Sequence, residues 1–224
     1  LDNFNFLKDL YTKHNLPKVL MLSGKKGSGK STLINHLLFY IFDKNNYNEK
    51  TYEYDNNSLF YNEFINNIFS NIIYLSGSDF KNSKIEDIRI LKKKILQTSI
   101  SDRSRFIVLD DVELFNVNSL NALLKTIEEP STSNYFILIN NKAKPLIETI
   151  RSRCLEIKII LNEKKRQIII ESLIKKFNIK SLIDLKTTQL TPGNFVKFNY
   201  VLSENKLSLN EDYLKNLTIL LNLY

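Results

Sequence analysis

The sequence predicts an α/β fold in which a five-stranded parallel sheet lies between helices and is followed by a small all-helical domain. Five short apolar segments alternate with stretches of helical periodicity, and fully apolar strands are typical of parallel sheets covered on both faces. A cluster of glycines joins the first segment to the helix after it. Beyond about residue 161 the helical periodicity continues without a comparable strand, which predicts the second domain.

The first half of the α/β domain begins with a strand at residues 19–22, followed by three glycines between residues 24 and 29. Apolar residues then recur at helical spacing up to Ile41. Residues 43–57 are crowded with Asn, Asp, Lys and Tyr and show no apolar periodicity, so we expect an exposed loop there. Further strands are predicted at 72–75 and 106–109, with an amphipathic helix at 85–95 between them.

The second half of this domain continues the alternation with a helix that ends before Pro130, because the residue before a proline disfavours helical geometry. Strands are predicted at 135–139 and at 155–160. These elements predict an α/β domain at 1–161, a helical lid domain at 162–206 and the truncated start of a helical C-terminal region at 207–224. Within the last two segments, helices are expected near 168–177, 181–186, 194–203 and 210–222.

The composition limits the class of protein. Of 224 residues 43% are hydrophobic, which is enough for a globular core, yet the longest apolar runs are far shorter than the ~20 residues that span a bilayer. The single cysteine excludes an internal disulfide and an all-cysteine zinc site, and it fits a reducing cytoplasm. The chain begins at Leu1 with no signal-peptide pattern, so we expect a fragment that lacks its first residues. The net charge of +8 is compatible with DNA contact but is weak evidence for it.

Residues 24–31 match the pattern G-x-x-x-x-G-K-[ST] between a predicted strand and a predicted helix. Glycines in such a loop let successive N–H groups point at phosphates, and the helix N-terminus adds positive potential. Lys30 would neutralise phosphate charge, and Ser31 would place its hydroxyl on Mg²⁺. The alternative is a glycine turn that binds nothing. The residues expected to bind ATP are Gly24, Gly27, Ser28, Gly29, Lys30, Ser31 and Thr32.

Two acidic residues follow the strand at 106–109. Asp110 is the expected second protein ligand of Mg²⁺ and part of the nucleotide site, because a phosphate-bound magnesium needs a carboxylate at a neighbouring strand end. Asp111 occupies the place where many related ATPases carry Glu to polarise the attacking water. Aspartate is one methylene shorter, so hydrolysis is expected to be weak. The alternative is a pair of solvent-facing acids in a loop.

Two further motifs are more specific than the phosphate loop. Residues 121–130, Asn-Ala-Leu-Leu-Lys-Thr-Ile-Glu-Glu-Pro, and residues 150–154, Ile-Arg-Ser-Arg-Cys, follow the loop in that order. With them, the chain resembles the clamp-loader subunits of the AAA+ family. The resemblance implies an AAA+ module, a helical lid and, in complete members, a helical collar that holds a pentamer together. It also implies the family's role, which is to open the ring-shaped sliding clamp and place it on primed DNA. Loader subunits do this together and use ATP.

The resemblance assigns expected roles to individual residues. Arg153 would reach the γ-phosphate of a neighbouring subunit, although a salt bridge is the alternative. Asn140 would be the first sensor, which orients the attacking water, although asparagine at a strand end is often a turn residue. ATP-hydrolysing members carry arginine where Val196 stands here, which argues against ATP sensing within this chain. The cysteines of the zinc module found in many loader subunits are missing from residues 43–57.

Other interpretations remain open from the sequence. The basic residues Arg89, Lys92, Lys93 and Lys94 could contact DNA phosphates or form a solvated helix face. The whole chain could instead be an autonomous P-loop ATPase or small-molecule kinase, although no residues announce an acceptor site. A scaffold whose loop has lost its nucleotide is a third possibility. Turnover of ATP by the isolated chain would separate the autonomous enzyme from the clamp-loader subunit.

Overall fold

The computed structural model describes residues 2–77, 93, 95, 104–183, 185, 188–205 and 207. The chain divides into two compact units. The first contains the residues up to Gly24 together with Lys30–Ile159, and the second contains Lys25–Gly29 together with the chain from Ile160 onward. The finer boundaries predicted at 162–206 and 207–224 remain predictions, because all but one residue of the last segment lie outside the described residues.

The first unit is built on a five-stranded sheet, which confirms the predicted α/β class. Its strand order is β4-β5-β6-β1-β7, and every pair is parallel. A separate two-stranded antiparallel hairpin pairs β2 with β3. The strands are β1 (Val19–Ser23), β2 (Tyr47–Asn48), β3 (Glu53–Tyr54), β4 (Ile72–Ser76), β5 (Arg105–Asp110), β6 (Asn134–Asn140) and β7 (Leu155–Lys158).

Helices cover the sheet, and their apolar residues form two buried clusters. One cluster contains Leu37 and Leu38 of the helix after β1, and the other contains Leu123 of the helix before β6. Among the helices of the first unit whose two ends both lie in the described residues are α1 (Asp2–Thr12), α2 (Lys30–Phe42), α3 (Leu59–Ile65), α4 (Val117–Glu128) and α5 (Glu148–Arg151), with short 3₁₀ turns at Lys44–Asn46 and Val112–Leu114.

The strand register brings the polar strand ends to one edge of the sheet. Ser23 at the end of β1 pairs with Asn140 at the end of β6, and Ser76 at the end of β4 pairs with Asp110 at the end of β5. The backbone N–H of Gly24 donates to the carbonyl oxygen of Asn140 at 3.1 Å. The carboxyl edge of the sheet therefore carries the acids and the start of the glycine loop.

The segment at 43–57 differs from the exposed loop that the sequence predicts. It contains the β2–β3 hairpin, and Tyr47 is buried beside Phe4 of α1. Tyr54 stacks on Phe39 of α2 with ring centroids 4.1 Å apart. The prediction failed because the rings bury themselves on residues distant in the chain, so they leave no local periodicity. Aromatic packing thus orders a segment whose composition alone predicts a loop.

The second unit contains α6 (Glu163–Phe177) and α7 (Pro192–Glu204), which correspond to two predicted helices. Asn162 caps α6 by accepting a hydrogen bond from Lys165 N at 2.9 Å. The buried Arg166 pairs with Glu163 and donates to the carbonyl oxygen of Leu190 at 3.1 Å, which ties α6 to the chain before α7. The helix predicted near 181–186 is absent from the described residues of that segment, where Leu182 N instead bonds the side chain of Asn199.

Two other predicted helices fall largely outside the described residues, namely the one expected at 210–222 and most of the one expected at 85–95. Of the basic residues expected on the second helix, Lys93 is described and is exposed. Arg89, Lys92 and Lys94 lie outside the described residues. Helices α1 and α3 were missed by periodicity. Among the described residues, no helix combines the length and the apolar character needed to cross a membrane.

Candidate functional site

The loop between β1 and α2 adopts the backbone that its glycines allow. Gly27 and Gly29 have φ values of +80° and +89°, a region that residues with a Cβ rarely enter. Ser28 N donates to Lys25 O at 3.2 Å, which closes a tight turn. The helix α2 begins directly afterwards at Lys30, so the chain has the strand–loop–helix order that a phosphate loop requires.

Lys30 is only 3% exposed, although lysine is rarely buried without a partner. Its Nζ donates to the carbonyl oxygen of Gly24 at 2.8 Å. Burial lowers the pKa of Lys30 to about 8, while the nearby carboxylates of Asp110, Glu113 and Asp111 oppose this shift. The ammonium is therefore a poorly solvated cation, which favours binding of an anionic ligand.

Asp110 and Ser31 come together as the sequence predicts. Ser31 Oγ donates to Asp110 Oδ2 at 3.1 Å, and the hydroxyl of Tyr74 donates to the same oxygen. Burial raises the pKa of Tyr74, and Asp110 adds to the rise, so the phenol stays protonated as a donor. A hydroxyl beside a carboxylate fits Mg²⁺, which takes oxygen ligands and usually needs only one or two carboxylates from the protein.

Asp111 lies in a turn with left-handed backbone geometry, at φ 48° and ψ 45°, and is 8% exposed. This position is not the solvent-facing one that the sequence left open as an alternative. Gly77 N donates to Asp110 O at 2.8 Å, and a Cβ on Gly77 would stand 2.1 Å from Asp111 O. The tight approach of the chain after β4 therefore holds the turn in place.

The two adjacent asparagines where β6 ends make different hydrogen bonds. Asn140 is 7% exposed, and its Oδ1 accepts from Lys142 N at 2.8 Å. Asn141 Nδ2 donates to Asp110 Oδ1 at 3.2 Å and to Asp111 Oδ1 at 2.7 Å. The sequence predicts the sensor at Asn140 and gives no role to Asn141, although the Asn-Asn pair is visible there. The side chain that contacts both acids belongs to Asn141.

Glu113 is a second residue that sequence reasoning missed. It is 2% exposed, and its carboxylate accepts from Asn141 N at 3.1 Å and from Ala143 N at 3.0 Å. These bonds hold the chain after β6 against the turn after β5, and so place the Asn141 amide on the acids. The available signal was an acid within an apolar stretch just after the acid pair.

Arg153 lies elsewhere in the first unit. It follows α5 and borders a cleft of about 510 Å³ that is also lined by Lys18, Val19 and Leu155. Val19 begins β1 and Leu155 begins β7, so this cleft lies at the amino edge of the sheet. Asp110 ends β5 at the carboxyl edge. Because all the strands are parallel, the arginine and the acids occupy opposite edges of one sheet.

Within the second unit, the start of α7 packs on residues 25–29 of the loop. Thr191 Oγ1 donates to Lys26 O at 2.6 Å, and Gly193 N donates to Gly27 O at 2.8 Å. A Cβ on Gly193 would stand 2.9 Å from Gly27 Cα. The first turn of α7 therefore meets the loop through Gly193 and Asn194, whose backbone N would stand 2.8 Å from a Cβ on Gly27. Val196 is a half-buried residue of the same helix. Thr32, the third residue of α2, is exposed.

Residues 2–163 match the family model described as DNA polymerase III, delta subunit. The DNA polymerase III subunit delta' of Buchnera aphidicola subsp. Acyrthosiphon pisum is 34% identical over 116 residues, covering 51% of this chain and 35% of that protein. The gamma subunit of the same organism is 30% identical over 165 residues, covering 73% of this chain and 43% of that protein. This chain thus spans less than half the length of either relative.

Solved structures support the fold alone. A Thermotoga maritima RuvB structure matches with a TM-score of 0.54 at 16% identity, covering 92% of this chain and 63% of that one. A gamma subunit-related protein from the same organism matches with a TM-score of 0.50 at 18% identity, covering 78% of this chain and 52% of that one. Because the family model covers most of the chain and delta' subunits are among its relatives, the chain belongs to the clamp-loader family of DNA polymerase III delta subunits and is delta-prime-like.

Proposed function

We propose that this chain is a delta-prime-like clamp-loader subunit that acts in the cytoplasm with other loader subunits. Together they would use ATP to load the sliding clamp onto primed DNA. In this role Arg153 serves a neighbouring subunit and not its own chain. The observation that carries the proposal is the placement of Arg153 and Asp110 at opposite edges of the sheet.

The distance between the two edges supports action on a neighbour. A strand rises about 3.3 Å per residue, so the five residues of β1 span roughly 13–17 Å. An arginine side chain cannot bridge that span to reach a phosphate beside Ser31 and Asp110. A phosphate bound by another subunit at the amino edge is within its reach, and an arginine there stabilises charge that develops on the transferring group.

The chain's own nucleotide would be ATP with Mg²⁺. Gly24, Gly27, Ser28, Gly29 and Lys30 would hold the phosphates, Thr32 would extend the loop into the helix, and Ser31 and Asp110 would hold the metal. Bound Mg²⁺ would neutralise charge on the phosphate oxygens. Asp111 and Asn141 would orient water, with Asn141 in the role expected of Asn140. Hydrolysis by this chain would be slow, because Asp111 is short and already bonded to Asn141.

The test is Arg153→Ala in a loader reconstituted with its neighbouring subunits. We expect the chain's own ATP affinity to stay unchanged, while DNA-stimulated ATPase and clamp loading fall at least tenfold. Arg151→Ala is the matched control, because Arg151 lies two residues away and pairs with Glu148 and Glu156. Clamp loading at the normal rate, or failure of the chain to join other loader subunits, would contradict the proposal.

A second candidate is an autonomous P-loop ATPase or kinase. The observation in its favour is that Lys30, Ser31 and Asp110 assemble within one chain. Turnover of ATP by the isolated chain, at a rate that neighbouring subunits do not raise, would favour this candidate. Absence of ATP binding would instead favour a scaffold.

A further inference from the structure

The two motifs on which the clamp-loader resemblance rests meet through one contact. Glu128, the last residue of α4, accepts a hydrogen bond from Nε of Arg153 through its Oε1. Glu128 belongs to the motif at 121–130 and Arg153 to the motif at 150–154. The contact joins residues 25 positions apart in the chain.

Both partners are carried by elements that the core holds in place. Ile127 precedes Glu128 and is 1% exposed, while Ile150 of α5 is fully buried in the same hydrophobic cluster. Arg153 N donates to Ile150 O at 3.1 Å, which ties the turn to α5. The separation between Glu128 and Arg153 is therefore set by packing, although the two side chains themselves remain partly exposed.

The guanidinium of Arg153 is held by hydrogen bonds from its Nε and Nη1 atoms. Nε bonds Glu128, and Nη1 donates to Thr149 O at 2.6 Å and to Ser152 Oγ at 3.3 Å. Within the described part of the chain, Nη2 donates no hydrogen bond to protein. Arginine carries five N–H donors in a rigid fork, so these bonds leave the two on Nη2 available to an outside acceptor.

We propose that Glu128 is the positioning residue of Arg153, holding the guanidinium by Nε so that Nη2 faces the phosphate of a neighbouring subunit. This inference rests on the proposed function. An arginine free to rotate must lose rotamer freedom each time it meets the phosphate, whereas one held by Glu128 has already done so. Holding the guanidinium in this way raises the rate of ATP hydrolysis and leaves the affinity for ATP unchanged, because the charge that Arg153 stabilises develops in the transition state.

The experiment measures DNA-stimulated ATPase in the reconstituted loader for Glu128→Ala, Arg153→Ala and the double variant. We expect Glu128→Ala to lower kcat about 5- to 10-fold with the KM for ATP unchanged, and the double variant to be no slower than Arg153→Ala. Glu128→Gln keeps an oxygen acceptor for Nε and should recover part of the rate. Glu129→Ala is the matched control, since it removes the same charge from the next residue.

Each outcome separates the two proposals. Normal turnover by Arg153→Ala overturns the proposed function and this inference with it. A slow Arg153→Ala beside a normal Glu128→Ala overturns this inference alone. A double variant slower than Arg153→Ala also overturns it, because Glu128 would then act through another group. If Glu128→Ala fails to fold, the Nε–H resonance of Arg153 is compared between wild type and Glu128→Gln, and an unchanged resonance overturns the inference.

Discussion

The Nζ atom of Lys30 lies 2.8 Å from the carbonyl oxygen of Gly24, at the two ends of the glycine loop. This bond gives the buried ammonium an acceptor within the protein, and the carboxylates of Asp110, Glu113 and Asp111 add a favourable charge interaction. A phosphate in the loop would compete for the same ammonium. We therefore expect the free energy of unfolding to depend on the protonation of Lys30 and on ligand binding.

Replacing Lys30 by methionine is expected to stabilise the free protein at pH 7 by about 1–2 kcal/mol while abolishing ATP binding. The pKa of Lys30 falls from 10.5 to about 8 on folding, a shift equivalent to roughly 3 kcal/mol, and loss of the bond to Gly24 returns part of this. The destabilisation in wild type is complete below pH 8 and disappears as the pH rises to 10.5, because the native state releases its proton first.

Urea unfolding at pH 7 and pH 9.5 measures this difference between Lys30→Met and wild type. The difference should shrink at the higher pH. Lys25→Met, which removes an exposed lysine from the same loop, is the matched control. A Lys30→Met protein less stable than wild type at pH 7 would show that the buried ammonium is not a net destabilising group.

ATP affinity is expected to fall as the pH rises above about 8. The negative phosphates raise the pKa of Lys30, so binding above that pH takes up a proton and weakens by up to about tenfold per pH unit. Calorimetry in two buffers of different ionisation enthalpy measures the proton uptake. Affinity that stays constant from pH 7 to 9.5 would place the phosphate away from Lys30.

Asp111→Glu is expected to raise slow ATP hydrolysis by the chain while lowering its stability by about 1 kcal/mol. The longer side chain reaches further toward the attacking water, but the left-handed backbone at φ 48° is unfavourable for glutamate. Asp111→Asn tolerates that backbone and lacks the charge, so it should keep its stability and show no gain in rate. Single-turnover hydrolysis and urea unfolding test both, and a rate unchanged in Asp111→Glu would show that side-chain length is not limiting.

Asn141→Ala is expected to lower hydrolysis by the isolated chain about tenfold or more, because it removes the amide that bonds both Asp110 and Asp111. Asn140→Ala should act mainly on stability, by about 1 kcal/mol, since its side chain bonds only the backbone N–H of Lys142 among the described residues. Single-turnover assays with excess protein compare the two variants. A larger loss of rate in Asn140→Ala would return the sensor role to Asn140.

Gly77→Ala is expected to destabilise the chain by more than about 2 kcal/mol, because the new Cβ would stand 2.1 Å from Asp111 O and push the turn away from β4. Gly29→Ala is the contrasting variant, since no described residue other than its chain neighbours lies within 4 Å of the Cβ it would gain. Only the positive φ opposes that alanine, at about 1 kcal/mol. Urea unfolding ranks the two variants, and equal losses would show that the turn at Asp111 yields easily.

The parallel sheet and the glycine loop were predictable from local sequence. Strand β1 is apolar from Val19 to Leu22 because both of its faces are buried, and that burial is recorded in consecutive residues. The glycines at 27 and 29 are likewise a local record, since their positive φ values exclude most other residues. The pairing of Ser31 with Asp110 was predictable because parallel strands end at a common edge.

Which side chains meet at the candidate site depends on packing between distant segments. Asn140 and Asn141 are adjacent and chemically identical, and their contacts differ because Glu113, from another segment, holds the backbone at Asn141. The hairpin at 47–54 is ordered by rings from α1 and α2, and the contact between Arg153 and Glu128 depends on a shared core. Periodicity reports how each segment is buried, whereas these contacts depend on the distance and orientation between segments, which packing alone determines.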